Sequence, residues 1–462
     1  GTRPESITYS VAGSGIASIT GSARFITKFQ SISSTYSGCW LLASGQVKCA
    51  GYTANAQLQT SGAAVYMGDT PNEMGVNRPV LNFGINRTAI RLGASANGSG
   101  YGGHCAILDT HKIKCWGVSN ASMGYETAVN IGDSGDEIGD NLLYVNLGAG
   151  RLAYRISHGY AGHCVITDTG GVKCFGFSET ADYTYTQGYG DTLVRGKVAG
   201  TMGDCLPDVN LGIGFVAAEI NCAYAHCCAV SNDRRVKCWG AVASGRTGYG
   251  DVLIRGNGAG QMGTSLPYVS ICTDRTAQDV QPFASSTCML LDNGKIRCFG
   301  DGGYGGLLNG ATPDIGDTSA EQGDNISYGN LGTNRTALHL STGANNINTT
   351  SRICALLDNG QVKCWGSGYF AGYGDNLTRG QSATTVGDSH PTINLGTGRS
   401  VKIVSTSGQN RTCALLDTNE VKCWGYGLQA SLGYGDSLTR GYTTGQMGDC
   451  LPVVDLGEAA SE

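Results

Sequence analysis

Two cysteines with nine residues between them recur seven times in this chain, and no other feature restricts the fold as much. The sixth copy, CALLDNGQVKCWG at 354–366, shows the pattern: an apolar run, a turn sequence, a second apolar run and a terminal aromatic with glycine. The pairs are Cys39/Cys49, Cys105/Cys115, Cys164/Cys174, Cys228/Cys238, Cys288/Cys298, Cys354/Cys364 and Cys413/Cys423.

The spacing suits a stitched β-hairpin. If Asp358-Asn359-Gly360 forms a three-residue loop with Gly360 in the left-handed position, Leu357 faces Gln361 and Cys354 faces Cys364. Opposed residues of a non-hydrogen-bonded pair lie close enough for a disulfide. Closing a loop of this length stabilises the chain by roughly 3 kcal/mol through the unfolded state. The alternatives are fourteen buried free thiols acting as small hydrophobes, or zinc; no CxxC pair or histidine cluster supplies four ligands for the metal.

The leading cysteines recur every 59 to 66 residues, so one unit is long enough for a propeller blade with a long loop. After each hairpin comes a second signature, such as GYGDTLVRGKVAGTMGDCLPDVNLG at 188–212, and then a strand such as RTAIRLGAS at 87–95. Two hairpin strands with one strand before and one after make a four-stranded blade. The expected fold is therefore all-β, a seven-bladed β-propeller of four-stranded antiparallel blades. The pattern C-A-L-L-D-x-G-x-V-K-C-W-G resembles the repeat of the regulator of chromosome condensation family over residues 23–457, and that resemblance implies the same seven-bladed ring. Departures are Ala50 in place of the aromatic, and the turns at His111, Arg234 and Asn419, which lack glycine.

No set of nucleophile, base and acid stands out, so the reading is of a protein that is not an enzyme and needs no cofactor. The recurring Asp69, Asp133, Asp191, Asp251, Asp317, Asp375 and Asp436 read as turn caps rather than metal ligands, with an arginine four residues on bracing the loop in copies such as Asp191/Arg195. His104, His163 and His226 flank hairpin cysteines and read as packing residues. Lys48, Lys114, Lys173, Lys237, Arg297, Lys363 and Lys422 precede the second cysteine and read as stems snorkelling between blades, with an anionic-glycan ring as the rival. The aromatics that follow that cysteine, such as Trp116 and Phe175, read as wedges between blades.

A net charge of −5 without a polybasic run argues against nucleic acid, and no apolar run is long enough to span a membrane. Nineteen cysteines point to an oxidising compartment. Eight N-glycosylation sequons, at Asn86, Asn97, Asn120, Asn325, Asn334, Asn348, Asn376 and Asn410, add a mild signal for secretion. Cys205, Cys222, Cys227, Cys272 and Cys450 fall outside the hairpins, and their odd number requires a free or intermolecular thiol. Cys205 and Cys450 occupy the same slot in the third and seventh repeats and are the candidates for intermolecular bonds.

Residues 1–22 form a β-prone extension and 458–462 a short tail around the ring. The extension is a strand that can close its own ring or join a neighbouring molecule. These features lead to an extracellular or cell-surface glycoprotein with a structural or adhesive role, a homo-oligomer or filament assembled through that extension and carrying N-linked glycans. The alternatives are a secreted protein-binding or inhibitor propeller and, less in keeping with an acidic oxidised chain, a nucleotide exchange factor for a small GTPase.

Overall fold

The computed structural model describes residues 30–33, 37–53, 58–59, 66–94, 103–118, 123–127, 129–159, 162–176, 187–241, 243–343, 352–368, 370–407 and 411–457. The extension at 1–22 and the tail at 458–462 lie outside them. Seven antiparallel sheets follow one another along the chain. The first holds β1 (Gln30–Ser33), β2 (Ser37–Leu41), β3 (Val47–Tyr52) and β4 (Tyr66–Met67). Blade two holds β5 (Ala89–Ala94), β6 (Gly103–Leu108) and β7 (Ile113–Gly117), and blade three β8 (Ala153–His158), β9 (Gly162–Thr167) and β10 (Val172–Gly176). Blade four holds β11 (Ala217–Cys222), β12 (His226–Ser231) and β13 (Val236–Gly240), and blade five β14 (Ala277–Phe283), β15 (Ser286–Leu291) and β16 (Ile296–Gly300). Blade six holds β17 (Ala337–Thr342), β18 (Arg352–Leu357) and β19 (Val362–Gly366), and blade seven β20 (Val401–Ser407), β21 (Arg411–Leu416) and β22 (Val421–Gly425). The innermost strands β1, β5, β8, β11, β14, β17 and β20 touch in that cyclic order, and β20 returns to β1. The ring is closed.

Each hairpin has the register that the cysteine spacing predicts. In blade six Leu356 faces Val362, Ala355 faces Lys363 and Cys354 faces Cys364. Leu357 and Gln361 close the loop through a 2.8 Å N–H···O bond, and Gly360 takes φ +76. His111, Arg234 and Asn419, which replace glycine there, adopt φ between 57 and 67 themselves. All seven predicted pairs are joined by S–S bonds. In blades one to four these are Cys39–Cys49, Cys105–Cys115, Cys164–Cys174 and Cys228–Cys238. In blades five to seven they are Cys288–Cys298, Cys354–Cys364 and Cys413–Cys423. Their Cα atoms stand 4.0–4.1 Å apart, as a narrow non-hydrogen-bonded pair requires.

That register has a consequence for the outer edge of the blade. In a narrow pair the N–H and C=O of each residue face away from the partner strand, so those of the second cysteine point outward. Five tyrosines meet them. Tyr373 Oη accepts the Cys364 N–H at 2.9 Å and lies 3.0 Å from the Cys364 carbonyl. Tyr125, Tyr189, Tyr249 and Tyr434 do the same for Cys115, Cys174, Cys238 and Cys423. Cys49 and Cys298 depart from this pattern, because no tyrosine among the described residues caps them. The Cys49 carbonyl accepts instead from Nε of the buried Arg78.

The fourth strand is reduced accordingly. Blades two, four, five, six and seven keep a single bridge, for example Gly240 with Arg255, and blade three keeps the 2.8 Å bond from Gly176 N–H to the Arg195 carbonyl. Among the described residues, only β4 of blade one forms a two-residue strand on the outer edge of its sheet.

The seams between blades are built from the wedge aromatics and the basic residues. Trp239, Trp424, Phe175 and Phe299 each sit against a glycine of the preceding blade: Gly188, Gly372, Gly124 and Gly248. At the seam from blade seven to blade one, Ala50 is too small for that role, and Trp40 fills the space from the neighbouring strand. Its ring lies over Gly433, where a Cβ would come within 2.7 Å of it, and packs with Cys413, Cys423 and Val454. The missing aromatic has therefore moved to the other arm of the hairpin.

The basic residues do not snorkel. Lys114 is buried, and its ammonium donates to the Phe83 carbonyl of the preceding unit at 2.9 Å and to Gly139 O of its own at 2.7 Å. Lys237, Lys363 and Lys422 repeat this staple, and Lys48 makes it with Leu456 O and Gly75 O at 2.8 and 2.7 Å. The C-terminal VVDLG segment therefore closes blade one as each NLG segment closes the next blade. Lys173 and Arg297 bind instead within their own units, to the Leu206 and Gly323 carbonyls.

Candidate functional site

On the outer loops, Asp191, Asp251, Asp375 and Asp436 each accept the N–H two residues on, at 3.0–3.1 Å, and pair through both oxygens with the arginine four residues on. The hydrogen bond from that arginine is the main cause holding each carboxyl below its ordinary value. The same guanidinium stacks on the tyrosine that caps the blade, 3.8–4.4 Å from its ring centre. These aspartates cap turns, as the sequence suggested. Asp69 and Asp317 differ, and their carboxyls are raised. Burial and then Glu73 act on Asp69, while a hydrogen bond with Glu321 comes first for Asp317. The braced turns hold Leu193, Leu253, Leu377 and Leu438 out in solvent, each 62–65% exposed.

The histidines are packed rather than poised. His104 and His163 are fully buried, and burial is the main cause that takes both to about 3. His226 is buried too, but it does not share their register: it faces Gly240, while Cys227 faces Trp239 as His104 faces Trp116. Cys227 pairs with Cys222 across β11 and β12, an eighth disulfide that the hairpin spacing did not expose. The sulfurs of Cys164, Cys222 and Cys227 lie within 4.8 Å of one another, yet each is already in a disulfide and offers no thiolate to a metal.

Three thiols are free among the described residues: Cys272 is buried, while Cys205 and Cys450 are exposed. The latter two end matching one-turn 3₁₀ segments, Gly203–Cys205 and Gly448–Cys450. Of the eight sequon asparagines, Asn86, Asn325, Asn334 and Asn376 are described, and all four are exposed. Asn97, Asn120, Asn348 and Asn410 lie outside the described residues.

The inner strands enclose a cavity of about 160 Å³ along the axis, lined by residues from every blade, among them Ser31, Ser157, Asn221, Ser341 and Thr406. Side chains stitch its wall: Ser157 Oγ accepts Cys222 N–H at 2.9 Å, and Ser341 Oγ accepts Thr406 N–H at 2.7 Å. At the hairpin-turn end, blades two to seven carry a β-bulge at one shared position. The residue after each bulge is Arg91, Arg155, Glu219, Asp279, His339 or Ile403, and Gln30 has the matching place in blade one. The residues from blades two to six share a second cavity of about 110 Å³. The sequence reading missed this ring. Aligning the strands RTAIR, RLAYR, FVAAE, RTAQD and RTALH on their shared alanine places these residues in one column.

Two solved structures superimpose on the chain over most of its length. Human WBSCR16 superimposes with a TM-score of 0.56 at 16% identity, over 79% of this chain and 83% of that one. Yeast RCC1 (Prp20), solved bound to Kap60, gives 0.56 at 13% identity, over 96% of this chain and 92% of that one. The fold is that of an RCC1-repeat β-propeller. What the RCC1 likeness carries is architecture, because identities this low speak for the fold alone. No family model and no curated protein matches the chain. No helix among the described residues is long and apolar enough to cross a membrane.

Proposed function

We propose that the chain is an extracellular, non-enzymatic structural or adhesive glycoprotein, a propeller subunit of a filament or surface coat. One observation carries the reading: sixteen of the nineteen cysteines are consumed in eight disulfides, a state that an oxidising compartment maintains. Exposed asparagines at four sequons are compatible with glycan attachment in the same compartment.

Assembly has two supports. The staple from Lys48 to Leu456 closes the ring with residues of the described propeller, and the β-prone sequence of 1–22 suits pairing with a neighbour. Cys205 and Cys450 sit exposed on blades three and seven, where oxidation by a disulfide donor would join separate copies. Secreting the chain from a glycosylating host and imaging it by electron microscopy tests this. Polymers lost on deleting 1–22, together with a mass excess removed by an N-glycosidase, are the expected results. Unglycosylated monomers indifferent to the deletion would overturn the reading.

The second reading, a secreted propeller that binds another protein, is favoured by the exposed leucines on rigid loops. Replacing Leu193, Leu253, Leu377 and Leu438 by serine would abolish capture of a partner without affecting polymers.

A further inference from the structure

The ring of bulge residues is asymmetric in charge. Its cations stand on adjacent blades, Arg91 and Arg155, and its anions on the next two, Glu219 and Asp279. The middle pair is satisfied: Arg155 donates to both oxygens of Glu219 at 3.2 Å. The outer pair is not. Arg91 makes no side-chain hydrogen bond or ion pair with any described residue. Asp279 accepts from Asn221, Gln281 and the Val280 backbone, at 3.3, 2.9 and 2.8 Å, and forms no ion pair among the described residues, feeling only the charge of Arg155, which Glu219 already holds. Blades two and five lie three steps apart in a ring of seven, so these two ends face each other across the channel mouth. Both line the same 110 Å³ cavity.

A partly buried guanidinium and a partly buried carboxylate that each lack an ion-pair contact are costly, and one ligand with both charges relieves both. We propose that the channel mouth binds a small zwitterion, its carboxylate on Arg91 and its ammonium on Asp279. Arg155 and Glu219 line the same cavity and neutralise one another. A ligand with only one charge leaves half of the site unmet, and that difference sets the selectivity.

The electrostatics of the site add a pH dependence. Asp279 is raised to about 6, first by burial and then by the neighbouring Glu219. The other charged or titratable groups facing it on the ring are Arg91, Arg155 and His339. Protonating Asp279 removes the ammonium's partner, so zwitterion affinity falls as the pH drops through that value.

Calorimetric titration of the full chain at pH 7 with glycine and γ-aminobutyrate, against acetate and methylammonium, tests the site. At least one zwitterion should bind about tenfold or more tightly than either half-ligand, the amount that one charge-assisted contact supplies. Arg91→Gln and Asp279→Asn should each remove that preference. Acetate binding as tightly as the zwitterions would reduce the site to an anion site and overturn the proposal, as would no binding by either zwitterion. The comparison of ligands on the native chain stands even if a variant fails to fold, and variants that fold but keep the preference would also refute it.

Discussion

Replacing Tyr249 by phenylalanine isolates the edge cap from everything else in blade four. The ring stays buried, the Cys228–Cys238 disulfide stays, and only the hydroxyl goes. That oxygen accepts the Cys238 N–H at 2.9 Å and lies 2.9 and 3.1 Å from the carbonyls of Cys238 and Pro267. Cys238 is fully buried, so water cannot take over. Orphaning a buried backbone group costs about 1–3 kcal/mol, and a loss of about 2 kcal/mol is expected for Tyr249→Phe. If the Cys238 amide exchanges through local opening, that loss speeds its hydrogen exchange by about 30-fold. Exchange followed by mass spectrometry under non-reducing conditions reads it directly. Tyr304→Phe is the control, because Tyr304 is 43% exposed and caps no cysteine, so its effect should stay within about 0.5 kcal/mol. A Tyr249→Phe protein whose Cys238 amide exchanges at the native rate would refute the argument that the hydroxyl stands in for a fourth strand.

Trp40→Ala should cost about 3–5 kcal/mol and loosen the seam between blades seven and one, read as a lower urea midpoint; an unchanged midpoint would show that Trp40 is not the wedge. The four Asp–Arg turns should weaken in acid. Their carboxyls are lowered in the folded state, so the stability they add is present above 3.8 and lost as the pH falls through the folded values beneath it. Protection of the Leu193, Leu253, Leu377 and Leu438 amides should fall in that range. The carboxylates are about a third exposed, so each contribution should stay under about 1 kcal/mol and shrink with salt. Lys114→Met should open the seam that its ammonium bridges, with faster exchange at Gly139 N–H, which is bonded to Asn82 O at 3.2 Å.

What the sequence disclosed follows from how local each constraint is. The register of Cys354 and Cys364 was legible because loop length and strand alternation alone determine it, and the same holds for Cys39 with Cys49 and Cys288 with Cys298. The turn caps at Asp191 and Asp375 were legible because their partners lie within four residues. Trp40 was not, since a wedge can come from either arm of a hairpin and only the adjoining blade shows which. The bond between Cys222 and Cys227 stayed hidden because Cys227 adjoins a hairpin cysteine, and its partner emerges only when β11 is registered against β12. The lysines were misjudged for a related reason: the carbonyls that hold Lys114 or Lys48 come from segments 25 to 408 residues away. The charged ring needed the bulges, which bring side chains from different blades around one axis.

Counting thiols tests the central claim, that sulfur bridges every blade. Alkylation of the denatured, unreduced chain, followed by mass spectrometry, should label at most three residues, Cys205, Cys272 and Cys450, and all nineteen cysteines after reduction. Intermolecular bonding at Cys205 or Cys450 would lower the first number further. Labelling of the hairpin cysteines, Cys354 and Cys364 among them, before reduction would contradict the account and remove the ground for placing the protein outside the cell.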